Sequence, residues 1–266
     1  MKVFDPETTP LNDGRLIAIE ASAGTGKTYT IECLVARLLM EDVVPADEIV
    51  VVTFTKAAAA ELRARIRQRL LKNLRAVEVE DSQGERAAKM RQHLANFSQI
   101  RISTIHGFAQ RTLLALGESV SNLEPALDSK EVRKSLLADV LRNLPPHDVD
   151  AVTSIPKFAS WLDEAISAMM NNPAAEITAM DANEHTTLIA DITQRVRATL
   201  EQRKRQLGVT SYDDLLTRLA IRMKNEADRD AVAASIGALL IDEFQDTDAL
   251  QWESFCRIAE YGRLAA

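Results

Sequence analysis

The chain of 266 residues contains two cysteines, Cys33 and Cys256, and neither sits in a metal-ligand spacing. A disulfide framework and a cysteine-held metal are therefore not expected, and a reducing, cytosolic setting fits best. No apolar stretch approaches the roughly 20 residues that a membrane helix needs. The opening MKVFDPETTP has no apolar segment of the secretory type. Internal repeats and low-complexity tracts are missing as well. So is any surplus of positive charge: the net charge is −7 and the pI about 5.3. Taken as a whole this disfavours a nucleic-acid partner, because phosphate contacts want a basic surface.

What is present changes that reading. Apolar residues make up 46% and charged residues 27%, the balance of a soluble globular protein with enough length for one large domain or two smaller ones. The charge is unevenly spread. Between Lys56 and Arg75 seven basic residues face a single acid, Glu61, while acids gather at Glu78–Asp81 and Asp242–Asp248.

Four short apolar runs read as buried parallel strands: Leu16–Glu20, Ile49–Phe54, Gln99–Ser103 and Ala238–Asp242. Helical stretches between the first three, Thr28–Met40 and about Ala57–Val77, give the alternation of a parallel α/β sheet. In the second helix Leu62, Ile66, Leu70, Leu74 and Val77 form one stripe. Arg65, Arg69, Lys72 and Arg75 fall opposite, either as a solvated face or as a face toward DNA. More than 130 residues separate the third and fourth runs, and their pattern is helical: Ser129–Leu144, Lys157–Met170, Glu184–Leu207 and Tyr212–Met223. Pro125, Pro145-Pro146, Pro156 and Asn171-Asn172-Pro173 punctuate them. The expected organisation is an α/β domain from residues 1–116 and 208–266, interrupted by an all-helical insertion at 117–207. Met169, Met170, Trp161 and Trp252 read as core filling, and His93, His147 and His185 as surface or structural histidines.

The chemistry starts at EASAGTGKTYT, residues 20–30, directly after the first predicted strand. It departs from the G-x-x-x-x-G-K-[ST] phosphate loop only at Ala21, where the pattern has glycine. Gly24 and Gly26 allow successive backbone N–H groups to point inward around a phosphate, with Ala23 and Thr25 between and beside them. The helix start adds favourable partial charge. Lys27 can reach the β- and γ-phosphates, the Thr28 hydroxyl suits Mg²⁺, and Tyr29 is counted with them as nucleotide-binding. The second half of such a site is Ala238–Glu243, an apolar run ending in two carboxylates. Asp242 is typed to hold the Mg²⁺ shell and Glu243 to polarise the attacking water.

Read onward, DEFQDTDALQ, Asp242–Gln251, resembles motif II of the UvrD/Rep superfamily 1 helicases. VTFTKAAAAEL, Val52–Leu62, resembles motif Ia, which lies along single-stranded DNA in that family. STIHGF, Ser103–Phe108, resembles the next DNA-contacting motif, and SYDDLL, Ser211–Leu216, a segment shortly before motif II. The wording sits closest to the RecB branch, the helicase–nuclease subunit of exodeoxyribonuclease V. The matches cover residues 16–115 and 210–260, and the position of the helical insertion is that of subdomain 1B.

The resemblance implies a P-loop, RecA-like parallel sheet flanked by helices, with an all-helical inserted subdomain. It implies ATP and Mg²⁺ at Ala23–Tyr29 and Asp242, with Lys27, Asp242, Glu243 and Gln245 as catalytic residues and Gln245 sensing the γ-phosphate. DNA contacts are expected at Thr53, Phe54, Thr55, Lys56, Thr104, His106, Gly107 and Phe108. Hydroxyls, lysine and backbone amides suit sequence-independent phosphate contacts, and Phe54 and Phe108 are candidates for base stacking. Phe54 equally suits a core position, and Ser211 with Asp214 also fits a capping box, with Asp213 left open.

The implied partners are single-stranded DNA or duplex ends, the remaining helicase domains, and RecC-like and RecD-like subunits, with no membrane. In the complete family enzyme, ATP hydrolysis between two RecA-like domains drives 3′ to 5′ movement. Motif III, the second domain with its arginine and the nuclease have no match in these 266 residues, so weak nucleotide binding with little turnover is expected. An upstream glutamine that reads adenine in many relatives is also missing, Asn12 being the nearest substitute. The rival reading is a non-catalytic DNA- or protein-binding module with a vestigial phosphate loop.

Overall fold

The computed structural model describes residues 4–11, 19, 26–81, 84–120, 130–154, 157–171, 177–179, 184–207 and 209–261. The predicted strand Leu16–Glu20, apart from Ile19, lies outside the described residues, as do Ala23, Gly24 and Thr25 of the glycine-rich loop. The chain divides into two compact units, residues 1–116 with 219–266, and residues 117–218.

In the first unit three strands, β1 (Ile49–Thr53), β2 (Arg101–Thr104) and β3 (Ala238–Ile241), form a parallel sheet in the order β2-β1-β3. A parallel sheet needs cover on both faces, and β1, IVVVT, is buried at every position. Ile49 and Val51, with Ile102, Ala238 and Leu240, pack in one cluster against helices α1 (Lys27–Met40) and α2 (Lys56–Asp81). Leu34 and Leu38 come from α1, and Leu62, Ile66 and Leu70 from the predicted stripe of α2. Beyond it lie α3 (Glu85–Ala95) and α4 (Ile105–Ala115).

Gly237 enters β3 where space forbids a side chain. Its N–H donates to the Glu48 carbonyl at 2.9 Å, and a Cβ there would stand 2.4 Å from Val44 Cγ1.

The second unit holds α5 (Lys130–Arg142), α6 (Pro146–Ser154), α7 (Phe158–Asn171) and α8 (Glu184–Leu207). Leu162, Ile166 and Met169 of α7 and Ile192, Val196 and Leu200 of α8 repeat at three- and four-residue spacing and fill its core with Leu136 and Phe158. Then α9 (Tyr212–Lys224) runs from this unit into the first, followed by α10 (Glu226–Ala234) and, after β3, α11 (Ala249–Tyr261). No described helix is long and apolar enough to cross a membrane.

Some elements differ from expectation. Pro145-Pro146 ends one helix and also opens α6, because proline at a first helical position loses no intrahelical bond. The sequence pattern had not signalled α3, which buries only Ala87 and Met90 and so lacks a strong stripe. Met169 is in the core, but Trp161 and Trp252 are 45% and 47% exposed and do not fill it. The Trp252 indole lies against the Phe244 ring, centroids 4.8 Å apart.

Candidate functional site

Three segments converge at the carboxyl ends of the parallel strands, where open α/β sheets present their ligand sites. The first is the start of α1. Gly26, with φ 98°, caps it in the left-handed conformation that glycine adopts without strain. Lys27 and Thr28 are the first two residues of the helix, whose opening N–H groups have no intrahelical acceptor.

The second segment follows β3. The Asp242 N–H donates to the Val52 carbonyl at 2.8 Å, which anchors the acid pair to the central strand. Glu243 has φ 53° and ψ 41°, an uncommon conformation for a residue with a Cβ and one often held at functional sites. That turn lets the Glu243 N–H donate to Asp242 Oδ1 at 3.0 Å and brings Glu243 Oε2 within 2.9 Å of Lys27 Nζ. Gln245 Nε2 donates to the same carboxylate oxygen. Burial, then the charge of Glu243, raises the Asp242 carboxyl above its ordinary range, against the Glu243 N–H and Lys27. Glu243 is held lower, by Gln245 first and Lys27 next. Lys27, Asp242, Glu243 and Gln245 all border one cavity of about 190 Å³, floored by Ile31 and Leu34.

Tyr29 lies just outside. Its hydroxyl donates to Glu7, and the Arg69 guanidinium sits 4.6 Å over its ring. Arg69 is thereby committed, as is Arg65, which pairs with Glu61 and lies 3.6 Å from Glu32. Two residues of the basic face of α2 thus serve internal pairs, while Lys72 and Arg75 remain exposed.

The third segment joins the ends of β1 and β2. The Thr55 hydroxyl accepts from the Ala58 N–H at 3.0 Å and so caps α2, and Lys56 begins that helix on the surface. Thr104 caps α4 by accepting from the Gly107 N–H at 3.1 Å. His106 is half-buried; burial lowers its pKa, against the attraction of Asp248. Phe54 is half-buried. Thr53 is 1% exposed and Phe108 5%, the latter with its ring centroid 5.7 Å from that of Phe255, so both lie beneath the surface.

Sequence reasoning did not reach Lys204. Its ammonium is buried and donates to Asp214 at 2.8 Å, to Glu201 at 3.0 Å and to Ser211 at 3.3 Å. Ser211 and Asp214 also cap α9 reciprocally: the Ser211 N–H donates to Asp214 at 2.9 Å and the Asp214 N–H to Ser211 at 3.3 Å. A lysine between Arg203 and Arg205, seven residues before the SxxD box, carries no local signal of this pairing. Among the described residues no group of three or more His, Cys, Asp or Glu could hold a metal ion. Cys33 and Cys256 are not joined in a disulfide.

An α/β fold of the RecA-like type, with helical insertions and an acid pair at the end of a parallel strand, defines the class. The profile of the UvrD/REP helicase N-terminal domain matches residues 7–264, and the chain belongs to that family. It is 31% identical to the RecBCD enzyme subunit RecB of Mycolicibacterium smegmatis, over 95% of this chain and 25% of that protein. Identity to the RecB subunit of Escherichia coli is 25%, over 97% of this chain and 34% of the relative. The ATP-dependent DNA helicase SRS2 of Saccharomyces cerevisiae is 26% identical, over 89% and 19%. The chain therefore spans about a quarter to a third of the RecB proteins it resembles.

Proposed function

We propose that this chain is the ATP-binding motor domain of a RecB-like DNA helicase, with residues 1–116 and 208–266 as the RecA-like part and 117–207 as a 1B-like helical subdomain. The observation that carries the reading is the meeting of Lys27, at the start of α1, with the acid pair Asp242–Glu243 at the end of β3. Lys27 and the N–H groups of the α1 start would hold the phosphates, with Ala23–Gly26 and Tyr29 beside them. Thr28 and Asp242 fit Mg²⁺: both are hard oxygen donors, and Mg²⁺ takes only one or two protein ligands beside phosphate and water. Asp242, whose charge is disfavoured by burial and by Glu243, is a carboxylate that a cation would relieve. The chemistry Mg²⁺ supplies when bound is neutralisation of charge across the phosphate oxygens.

Glu243 would orient the attacking water and accept its proton at a carboxylate oxygen. Gln245, already bonded to that carboxylate, would report the γ-phosphate to the neighbouring DNA segment. Phosphate contacts to single-stranded DNA would come from Thr55, Lys56, Thr104, His106 and the Gly107 N–H, with Phe54 against a base. Thr53 and Phe108 would support that surface from below. No arginine is among the described residues that line the cavity. The chain alone would then hydrolyse ATP about 10³–10⁵ times more slowly than a site completed by a second domain. In the complete enzyme the motor would move 3′ to 5′ on single-stranded DNA, with RecC-like and RecD-like subunits beside it; the RecBCD subunit names of its relatives support the latter.

The test is ATP binding and steady-state turnover, with and without oligo-dT, in the wild type and Glu243→Gln. Mg²⁺-dependent binding with turnover far below one per second supports the reading. Turnover near one per second or faster, lost in Glu243→Gln, would show a site that completes itself and would refute the half-motor account.

A further inference from the structure

Helix α7 carries two stripes. Phe158, Leu162, Ile166 and Met169 fill the core of the helical unit. Trp161, Glu164, Ala165 and Ala168 form a second stripe at the same three- and four-residue spacing. With His185 and Ile189, from the first two turns of α8, they line a groove of about 530 Å³. That is the size of an ordinary ligand site. It lies wholly within residues 117–218, and no residue of the nucleotide site borders it.

Packing within the chain does not use up Trp161. The indole carries a large apolar area and is still 45% exposed. Apolar surface left open in a groove marks an interaction site, and tryptophan is among the residues that carry most binding energy in interfaces. Glu164, one turn further along α7, is exposed, and its side chain forms no ion pair among the described residues.

Charge selects the occupant. Over its whole length α7 has two acids, Asp163 and Glu164, and no lysine or arginine. No described lysine or arginine borders the groove either. Such a surface repels phosphate and does not fit DNA. It attracts a cation. An indole with a free carboxylate one helical turn away suits a guanidinium, which stacks on the ring and bonds the carboxylate through its planar fork.

We propose that this groove is the docking site for an arginine-bearing segment of another protein. The arginine lies against Trp161 and pairs with Glu164, while an apolar side chain of the same segment covers Ala165, Ala168 and Ile189. A short amphipathic helix presents both groups on one face. The inference does not depend on the nucleotide site.

The experiment selects random displayed short peptides on the full chain, counter-selects on Trp161→Ala, and measures affinities of the enriched peptides by fluorescence polarisation. Enriched peptides are expected to carry arginine with an apolar residue three or four positions away. They should bind Trp161→Ala about tenfold or more weakly. Glu164→Arg should bind them about fivefold or more weakly, and exchanging the peptide's arginine for glutamate should restore binding to that variant. Both variants change exposed side chains and should melt with the wild type. Enrichment of acidic or uncharged peptides, no enrichment at all, or no rescue by the charge exchange overturns the proposal. So does a DNA duplex, or a second copy of this chain, that binds the wild type and is lost in Trp161→Ala, because the groove then has another occupant. A Trp161→Ala protein that melts well below the wild type makes the indole structural and overturns the proposal as well.

Discussion

Lys27 Nζ stands 2.9 Å from Glu243 Oε2, although 216 positions separate the two in sequence. The lysine typed for phosphate and the carboxylate typed for water hold each other, so a triphosphate at Lys27 must displace Glu243. Partly exposed pairs of this kind are worth up to about 1 kcal/mol. Glu243→Gln should therefore bind ATP about two- to fivefold more tightly while losing turnover. Equilibrium titration with a fluorescent analogue reads the first effect; unchanged or weaker binding would contradict it.

Lys204 ties α8 to the start of α9 from within the second unit. Its side chain is 7% exposed and that of Asp214 15%. Burial opposes its charge, but Asp214 and Glu201 prevail and raise its pKa above 10.5. Its contribution is thus fully present below pH 10.5 and fades as pH climbs through the raised folded-state value. Lys204→Met leaves Asp214 without its cation and should cost about 3 kcal/mol in urea denaturation at pH 7. The gap from wild type should close in strongly alkaline buffer.

His106 gives a signal near neutrality. Its folded-state pKa lies below the ordinary 6.5 because burial disfavours the charged ring. The unfolded chain then binds the proton more readily, so stability is full above pH 6.5 and declines as pH falls from there to the lowered value. His106→Gln should flatten the melting temperature across that window. An equal slope in both proteins would place the effect elsewhere.

Gly237→Ala is expected to cost about 1–3 kcal/mol, the range for forcing an extra carbon into a packed site. The new Cβ would meet Val44 Cγ1 at 2.4 Å and Glu48 Oε2 at 2.7 Å. Thermal unfolding measures it, and a neutral substitution would show that the loop before β1 yields easily.

Much of this was legible in the sequence because the signals were local. A run of β-branched residues marked β1, four-residue spacing marked α2, and S-x-x-D marked the cap of α9. The acid pair after β3 and the lysine at the start of α1 were readable as halves of one site. What escaped depended on distant neighbours. Nothing near Lys204 signals its burial; only the fold sets it beside Asp214. Trp252 packs on the Phe244 ring of the turn after β3 and stays largely exposed, while Phe108 is buried against Phe255. Helices α3 and α6 were hidden by a weak apolar stripe and by a proline that starts a helix as readily as it ends one.

The central claim is that Lys27 and the acid pair after β3 form a nucleotide site on a helicase motor domain. Isothermal titration of ATP with Mg²⁺ into the wild type and Lys27→Ala tests it most directly. The account predicts one site in the wild type and binding weaker by about tenfold or more in Lys27→Ala, the loss expected when a charged hydrogen bond to phosphate is removed. Equal binding by the two proteins, or none by the wild type, would contradict it.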